Sequence, residues 1–346
     1  MRTAVVICPG RGTYNATELG YLARNFSDKA LLAQLDGLRD DAGQKTLTAL
    51  DGAARFSARE HGRGDNASAL IYAATLGDFL ALDRKRIEIV AVTGNSMGWY
   101  SALACAGALS HTDGFDVANT MGTLMQQSLI GGQSVHPFVG NDWSAAPESR
   151  QALLELVADI DRRADHSLAL SIDLGGMIVL GGNQAGLAAF ESSVEPVGDR
   201  FPMRLTNHAA FHTAMQEPVA AEGRTRLHAD RFVQPTLPMI DGRGGIWWPH
   251  STDTHELWDY TLGTQVTQAY DFTRAITVAA REFAPDLFIM TGPGTTLGGA
   301  VIQSLIMASW RGLSSKAGFD ALQSRSPLLL SMGRDDQRTL ATKELS

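Results

Sequence analysis

The stretch Ile87-Glu88-Ile89-Val90-Ala91-Val92-Thr93-Gly94-Asn95-Ser96-Met97-Gly98-Trp99-Tyr100-Ser101-Ala102 decides how the rest of the chain is read. Residues 87–93 form an apolar, β-branched run of strand length, broken at Gly94. Gly98 then leads into small residues over 99–107 that read as a helix. Strand, tight turn and helix make the unit on which α/β enzymes place their reactive groups. A serine on such a turn needs glycine on both sides, because the turn crowds any Cβ there. The geometry lifts the Ser96 hydroxyl above the sheet edge. It also aims the backbone N–H of Met97, at the helix N-terminus, toward a developing oxyanion. Alone the pattern is weak, since a chain with 35 glycines can produce a plain glycine-rich turn. Its place between strand and helix favours a nucleophile.

Working outward, residues 3–8 are a buried strand stopped by Pro9-Gly10, and a mostly helical region follows over 25–82. Another helix is expected over 113–129, ending at Gly131-Gly132. The character then changes to a short strand (135–139), an amphipathic helix (148–165), two strands around a glycine turn (168–172 and 177–180), a helix (184–194) and a last strand (203–205). That order suggests a small ferredoxin-like α+β insert. The α/β pattern resumes with helices over 212–228 and 271–282, a buried strand over 286–291, and Gly292-Pro293-Gly294 turning into a helix over 297–310. The expected fold is a large, hydrolase-like parallel-sheet α/β domain (1–132 and 206–330) with an inserted ferredoxin-like domain (133–205). A polar, loosely ordered tail is expected over 331–346.

Bulk composition narrows the function classes. The chain has 346 residues, 44% hydrophobic and 19% charged, enough for one large and one smaller core. A net charge of −8 argues against nucleic acid as a main partner. Two cysteines inside apolar stretches, Cys8 and Cys105, exclude a disulfide scaffold and fit a cytoplasmic address. The first apolar segment is too short for a signal peptide, and no window is long enough to span a bilayer.

A serine nucleophile needs a base, and nine histidines compete. His212, in His208-Ala209-Ala210-Phe211-His212-Thr213-Ala214-Met215, stands out, with His208 as the local rival. Either could be no more than a polar residue at a helix start.

Several segments together resemble the malonyl-CoA:acyl carrier protein transacylase family. Pro9-Gly10-Arg11-Gly12 is similar to the family's N-terminal Pro-Gly-Gln-Gly loop, and residues 93–110 to its nucleophile elbow and following helix. Leu124-Met125-Gln126, Phe211-His212 with Met215, Gln265, and Gly292-Pro293-Gly294 before Leu297 follow in family order across nearly the whole chain. The resemblance implies ping-pong transfer of an acyl group from acyl-CoA, through acyl-Ser96, to the phosphopantetheine thiol of an acyl carrier protein. It implies His212 as base, oriented by a backbone carbonyl at Gln265, and an oxyanion hole from the N–H groups of Met97 and Arg11. No bound cofactor or metal is implied. Fatty acid and polyketide synthesis both use such enzymes.

The sequence departs from the family at the substrate. The family's arginine for the malonyl carboxylate is replaced by Met121, which cannot pair a carboxylate and argues for a neutral acyl group. Arg11 replaces the loop glutamine; it could supply the guanidinium from the opposite wall, bind a CoA phosphate or face solvent. Asn95 and Trp99 replace the residues flanking the elbow and are expected to reshape the pocket mouth. Trp247-Trp248 reads as packing. The rival readings are an acyl-thioester hydrolase acting on acyl carrier proteins and a non-catalytic carrier-protein docking subunit. An α/β-hydrolase esterase fits the Pro9–Gly12 loop poorly.

Overall fold

The computed structural model describes residues 1–342. Its strands are β1 (Arg2–Cys8), β2 (Ile87–Gly94), β3 (Gly132–Pro137), β4 (Leu168–Leu174), β5 (Met177–Gly182), β6 (Met203–Leu205), β7 (Met239–Ile240), β8 (Ile246–Trp247), β9 (Tyr270–Asp271), β10 (Leu287–Met290) and β11 (Leu329–Ser331). They form a six-stranded sheet in the order β11-β10-β1-β2-β7-β8 and a five-stranded sheet in the order β6-β3-β5-β4-β9. In the larger sheet every pairing is parallel except that of β8 with β7.

β1 lies at the centre of the larger sheet, between β2 and β10, and Ala4 to Cys8 are wholly buried. An unbroken apolar run is what a parallel strand covered on both faces requires. The chain order reverses at β1, which makes the carboxyl ends of its neighbours the natural crevice for a ligand. Three turns meet there: Pro9-Gly10 after β1, the Ser96 turn after β2, and Gly292-Pro293-Gly294 after β10. Their contact is close. A side chain at Gly10 would lie 2.6 Å from the Asn95 carbonyl oxygen, and one at Gly292 would lie 2.6 Å from the Pro9 ring.

The insert follows the expected order: β3, a helix Pro147–Asp161, β4, β5, a helix Gln184–Ser193 and β6. Its four strands are antiparallel throughout, in the ferredoxin-like arrangement β6-β3-β5-β4. Phe138, Ile160, Ile178, Leu187 and Phe190 pack into a separate apolar cluster beneath it. Beyond that expectation, β9 adds to β4 in parallel, pairing Tyr270 with Ile172. A two-residue strand carries no periodicity by which it could be read in advance.

Two helices are shorter than the sequence suggests. The helix expected over 148–165 ends at Asp161, and Asp165 has a positive φ of 60°. The helix expected over 212–228 runs from Glu217 to Arg226, after a short 3-10 turn, with Pro218 in its first turn. His212 therefore lies on a turn instead of a helix.

The expectation of a loose tail over 331–346 is corrected. Leu329–Ser331 is a buried edge strand of the larger sheet, and Asp335–Ala341 is a helix. The helix is anchored by Arg338, whose Nη1 donates to Asp78 Oδ1 at 2.5 Å. Asp78 is fully buried and also accepts from the Tyr21 hydroxyl (2.7 Å) and the Gly292 N–H (2.8 Å). A polar helix held by one long-range ion pair looks in sequence like a solvated end, because its partner lies far away in the chain. Residues 343–346 fall outside the described residues. Among the described residues, no helix is long and apolar enough to cross a membrane, and no cluster of metal-ligating side chains occurs. Arg338→Met should lower stability by about 3 kcal/mol, since Asp78 stays buried without its cation. Arg334→Ala, which breaks an exposed pair with Asp336, should cost less than about 0.5 kcal/mol. Urea unfolding of the two variants checks this, and equal losses would mean that Asp78 does not anchor the helix.

Candidate active site

The site begins at the end of β2. A side chain at Gly98 would collide with the Cys8 carbonyl, and one at Gly94 with the Gly98 backbone. Both glycines are thus needed for the turn to close against β1. Between them Ser96 takes a left-handed conformation, φ 56°, which few non-glycine residues adopt. The helix Gly98–Cys105 starts immediately after. The backbone N–H groups of Met97 and Arg11, on two adjoining turns, donate to no acceptor among the described residues.

His212 also has a positive φ, 56°. Its Nε2 is 2.7 Å from Ser96 Oγ, and its Nδ1 is 2.6 Å from the Gln265 carbonyl oxygen. A carbonyl can only accept, so Nδ1 carries the proton and Nε2 presents its lone pair to the serine hydroxyl. Burial pulls the His212 pKa down to about 4, opposed in part by the Gln265 carbonyl. At neutral pH the ring is an uncharged acceptor, ready to take a proton.

Gln265 acts at both ends. It follows a π-helical turn, Tyr260–Thr264, a local widening that is frequent at functional sites. While its backbone carbonyl holds His212, its Nε2 donates to the Ser96 carbonyl (3.0 Å) and its Oε1 accepts from the Tyr100 hydroxyl (3.1 Å). The Tyr270 hydroxyl donates to the Gly94 carbonyl at 2.6 Å, and its ring lies 5.5 Å from that of His212. On the other side, Gln133 Nε2 donates to Ser171 Oγ (2.6 Å), which donates to the Phe211 carbonyl (2.7 Å).

These groups surround a narrow cavity lined by Arg11, Ser68, Ser96, Met97, Tyr100, Gly122, Met125, Phe211, His212 and Gln265. Its water-accessible volume is about 20 Å³, room for little more than one water molecule. Five of the residues singled out in sequence meet here: Ser96, Met97, His212, Gln265 and Arg11. Three do not. Met121 is fully buried, its sulfur against Gly223. Trp99 is fully buried in the core, its Nε1 donating to Thr261, and so does not form the pocket mouth. Asn95 is buried beneath the turn, with Oδ1 unpaired. Met121 and Trp99 lie on helix faces turned into the core. His208 hydrogen-bonds Gln133 at 2.8 Å and makes no contact with Ser96. Trp247 packs partly buried against Tyr260, and Trp248 is half exposed beside Phe283.

Sequence reasoning missed the wall formed by Gly122, Met125 and Ser68. The signal was present, since Gly122 and Met125 stand three apart on the helix His111–Ser128 and so lie on one side of it.

No family model matches the chain. It is 27% identical over 207 residues to the non-reducing polyketide synthase atnG of Arthrinium sp, covering 59% of this chain and 10% of that protein. It is 24% identical over 209 residues to the malonyl CoA-acyl carrier protein transacylase of Bacillus subtilis, covering 60% of this chain and 62% of that protein. The chain thus spans less than two thirds of the length of either relative. The crystal structure of the acyl-carrier-protein S-malonyltransferase from Burkholderia pseudomallei superposes with a TM-score of 0.75, covering 98% of this chain and 99% of that one at 18% identity. That likeness establishes a shared fold.

Acylation of Ser96 by an activated ester should fall only as pH drops toward about 4, where His212 takes up a proton and ceases to be a base. A stopped-flow pH profile checks it; a midpoint near the ordinary histidine value of about 6.5 would contradict the buried, neutral imidazole.

Proposed function

We propose that this chain, which belongs to the malonyl-CoA:acyl carrier protein transacylase family, moves a short acyl group from CoA to the phosphopantetheine thiol of an acyl carrier protein through an acyl-Ser96 intermediate. The observation that carries the reading is the unbroken chain from Ser96 Oγ through the His212 ring to the Gln265 carbonyl, with links of 2.7 and 2.6 Å.

Each step follows from that chain. His212 Nε2 takes the proton of Ser96 as Oγ attacks the thioester carbonyl. The oxyanion that forms is met by the N–H groups of Met97 and Arg11, each donor of this kind contributing about 100-fold or more. When the intermediate collapses, the C–S bond breaks and the CoA sulfur leaves with the proton held by His212. The carrier thiol then enters, gives its proton to His212 and attacks the acyl-serine. Ser96 departs and recovers the proton. A backbone carbonyl suffices as the third member, because it fixes the tautomer without adding a charge to the site.

The cavity supports a short acyl group and a protected intermediate. A cavity this narrow disfavours a long acyl chain, and even a short group needs some displacement of the walls, of which Met125 is the most pliable. Exchange between two thioesters is close to balanced in energy, so success depends on keeping water from the acyl-serine. The hydrolase reading differs only in the acceptor.

Intact-protein mass spectrometry after incubation with malonyl-CoA and acetyl-CoA tests the proposal. An acyl adduct should form on the wild type and not on Ser96→Ala. His212→Ala should slow its formation by about 100-fold or more. A phosphopantetheinylated carrier protein should clear the adduct and gain its mass; clearance by buffer alone at the same rate would make the chain a hydrolase.

A further inference from the structure

We infer that the Arg11 side chain is the carboxylate receptor of the site, taking the position-independent role of an acyl-anchoring cation from the loop after β1, so that the substrate is a short acyl thioester with a free carboxylate. The inference rests on the acyl-transfer reading and adds to it the residue that selects the acyl group.

Arg11 is the one cationic side chain lining the cavity, and no carboxylate lines it. The guanidinium has five N–H bonds to donate, and a single hydrogen bond is made, from Nη2 to the Gly62 carbonyl at 3.0 Å. Its Nε is buried and has no partner. The acid closest to it electrostatically, Asp65, is engaged elsewhere, accepting from Arg63 Nε and Nη2 at 3.0 and 3.1 Å. Burial draws the Arg11 pKa down to about 10, which still leaves it charged at neutral pH.

Arg11 as a whole is partly exposed, and its buried, unpaired Nε is the donor that a ligand would complete. Its surroundings hold it in place for one. The Phe211 ring lies 5.5 Å from the guanidinium carbon, and Phe211 directly precedes His212. The charge is therefore fixed relative to the reacting pair by one short segment. The loop itself is pressed onto the elbow by the contact between Gly10 and the Asn95 carbonyl.

The ligand's chemistry follows from where this charge sits. CoA phosphates are held away from the thioester by the whole length of the pantetheine arm, so they do not reach a group that shares a cavity with Ser96 Oγ. The oxyanion of the intermediate lies at the backbone donors. What remains is an anion carried by the acyl group, close to its carbonyl. A planar carboxylate can accept from Nε and from the second N–H of Nη2 together, which is the bidentate pairing that arginine favours. Among the other lining residues, Ser68, Gly122 and Met125 offer no cation, and Met121 faces Gly223. A malonyl-type group has the charge that pairs with the guanidinium and carries it one carbon from the thioester carbonyl.

The test compares loading of Ser96 by malonyl-CoA and by acetyl-CoA, in single-turnover quench experiments on the full chain, for wild type, Arg11→Gln and Arg11→Lys. The wild type should prefer malonyl by at least about 100-fold. The ratio should fall about 100-fold in Arg11→Gln and less in Arg11→Lys, which keeps the charge and loses the planar fork. Because the ratio is taken within each protein, partial misfolding lowers both rates and leaves it unchanged. A wild type that loads acetyl as readily as malonyl, or a ratio unmoved by Arg11→Gln, overturns the assignment. If no donor labels Ser96 in the wild type, the transfer reading itself falls, and the assignment with it.

Discussion

The carbonyl of Cys8 occupies the space that a side chain at residue 98 would need, and the geometry of the site follows from that contact. With β1 and β2 parallel and paired without a break from Val5 and Ala91 to Cys8 and Gly94, their two following turns have to pass within van der Waals distance of each other. The chain after β2 can do so only by doubling back at Ser96 with a positive φ. The same crowding sets Arg11 beside the serine, since its loop lies against the Asn95 carbonyl. The Ser96 hydroxyl, the backbone N–H groups and the Arg11 guanidinium thus come from one packing constraint between strand ends.

Strain on the serine is matched by strain on its partner, since His212 is also left-handed. Conformations of this kind cost about 1–3 kcal/mol each and persist only when neighbours hold them. Gln265 holds both, binding the Ser96 carbonyl through its side chain and His212 through its backbone. The second sheet contributes as well. Its Gln133 and Ser171 support the Phe211 carbonyl, and β9, five residues beyond Gln265, is hydrogen-bonded to β4. The His212 ring is therefore positioned between two sheets, and its tautomer depends on both.

The parts of this arrangement that a short motif imposes were legible in the sequence. Gly94 and Gly98 around Ser96 announce the turn because their need for space is local, and the alternation of strand and helix patterns conveyed the α/β class and the ferredoxin-like order of the insert, while the short strands β7, β8 and β11 went unread. What escaped depends on distance or on direction. β9 and the Arg338–Asp78 anchor are made by partners remote in the chain, and nothing nearby in sequence records them. Trp99 and Met121 were assigned to the right segments and the wrong faces, because a neighbour one position away on a helix points about 100° elsewhere. Reading the helix His111–Ser128 from Gly122 and Met125 would have placed the cavity wall.

The central position of β1 has a consequence for how the molecule comes into being. Ala4 pairs on one side with Ile89 and on the other with Leu287, so β1 lies between one neighbour made soon after it and another made much later. Until residues 287–290 emerge, one edge of β1 has no partner, and the Gly292 turn that presses on Pro9 does not yet exist. Pairings so distant in sequence make folding slow and expose unsatisfied strand edges on the way. The nascent chain can therefore hold its Ser96 turn against β1 long before that turn is enclosed, and the site is completed only once β10 and the Gly292 turn have been made.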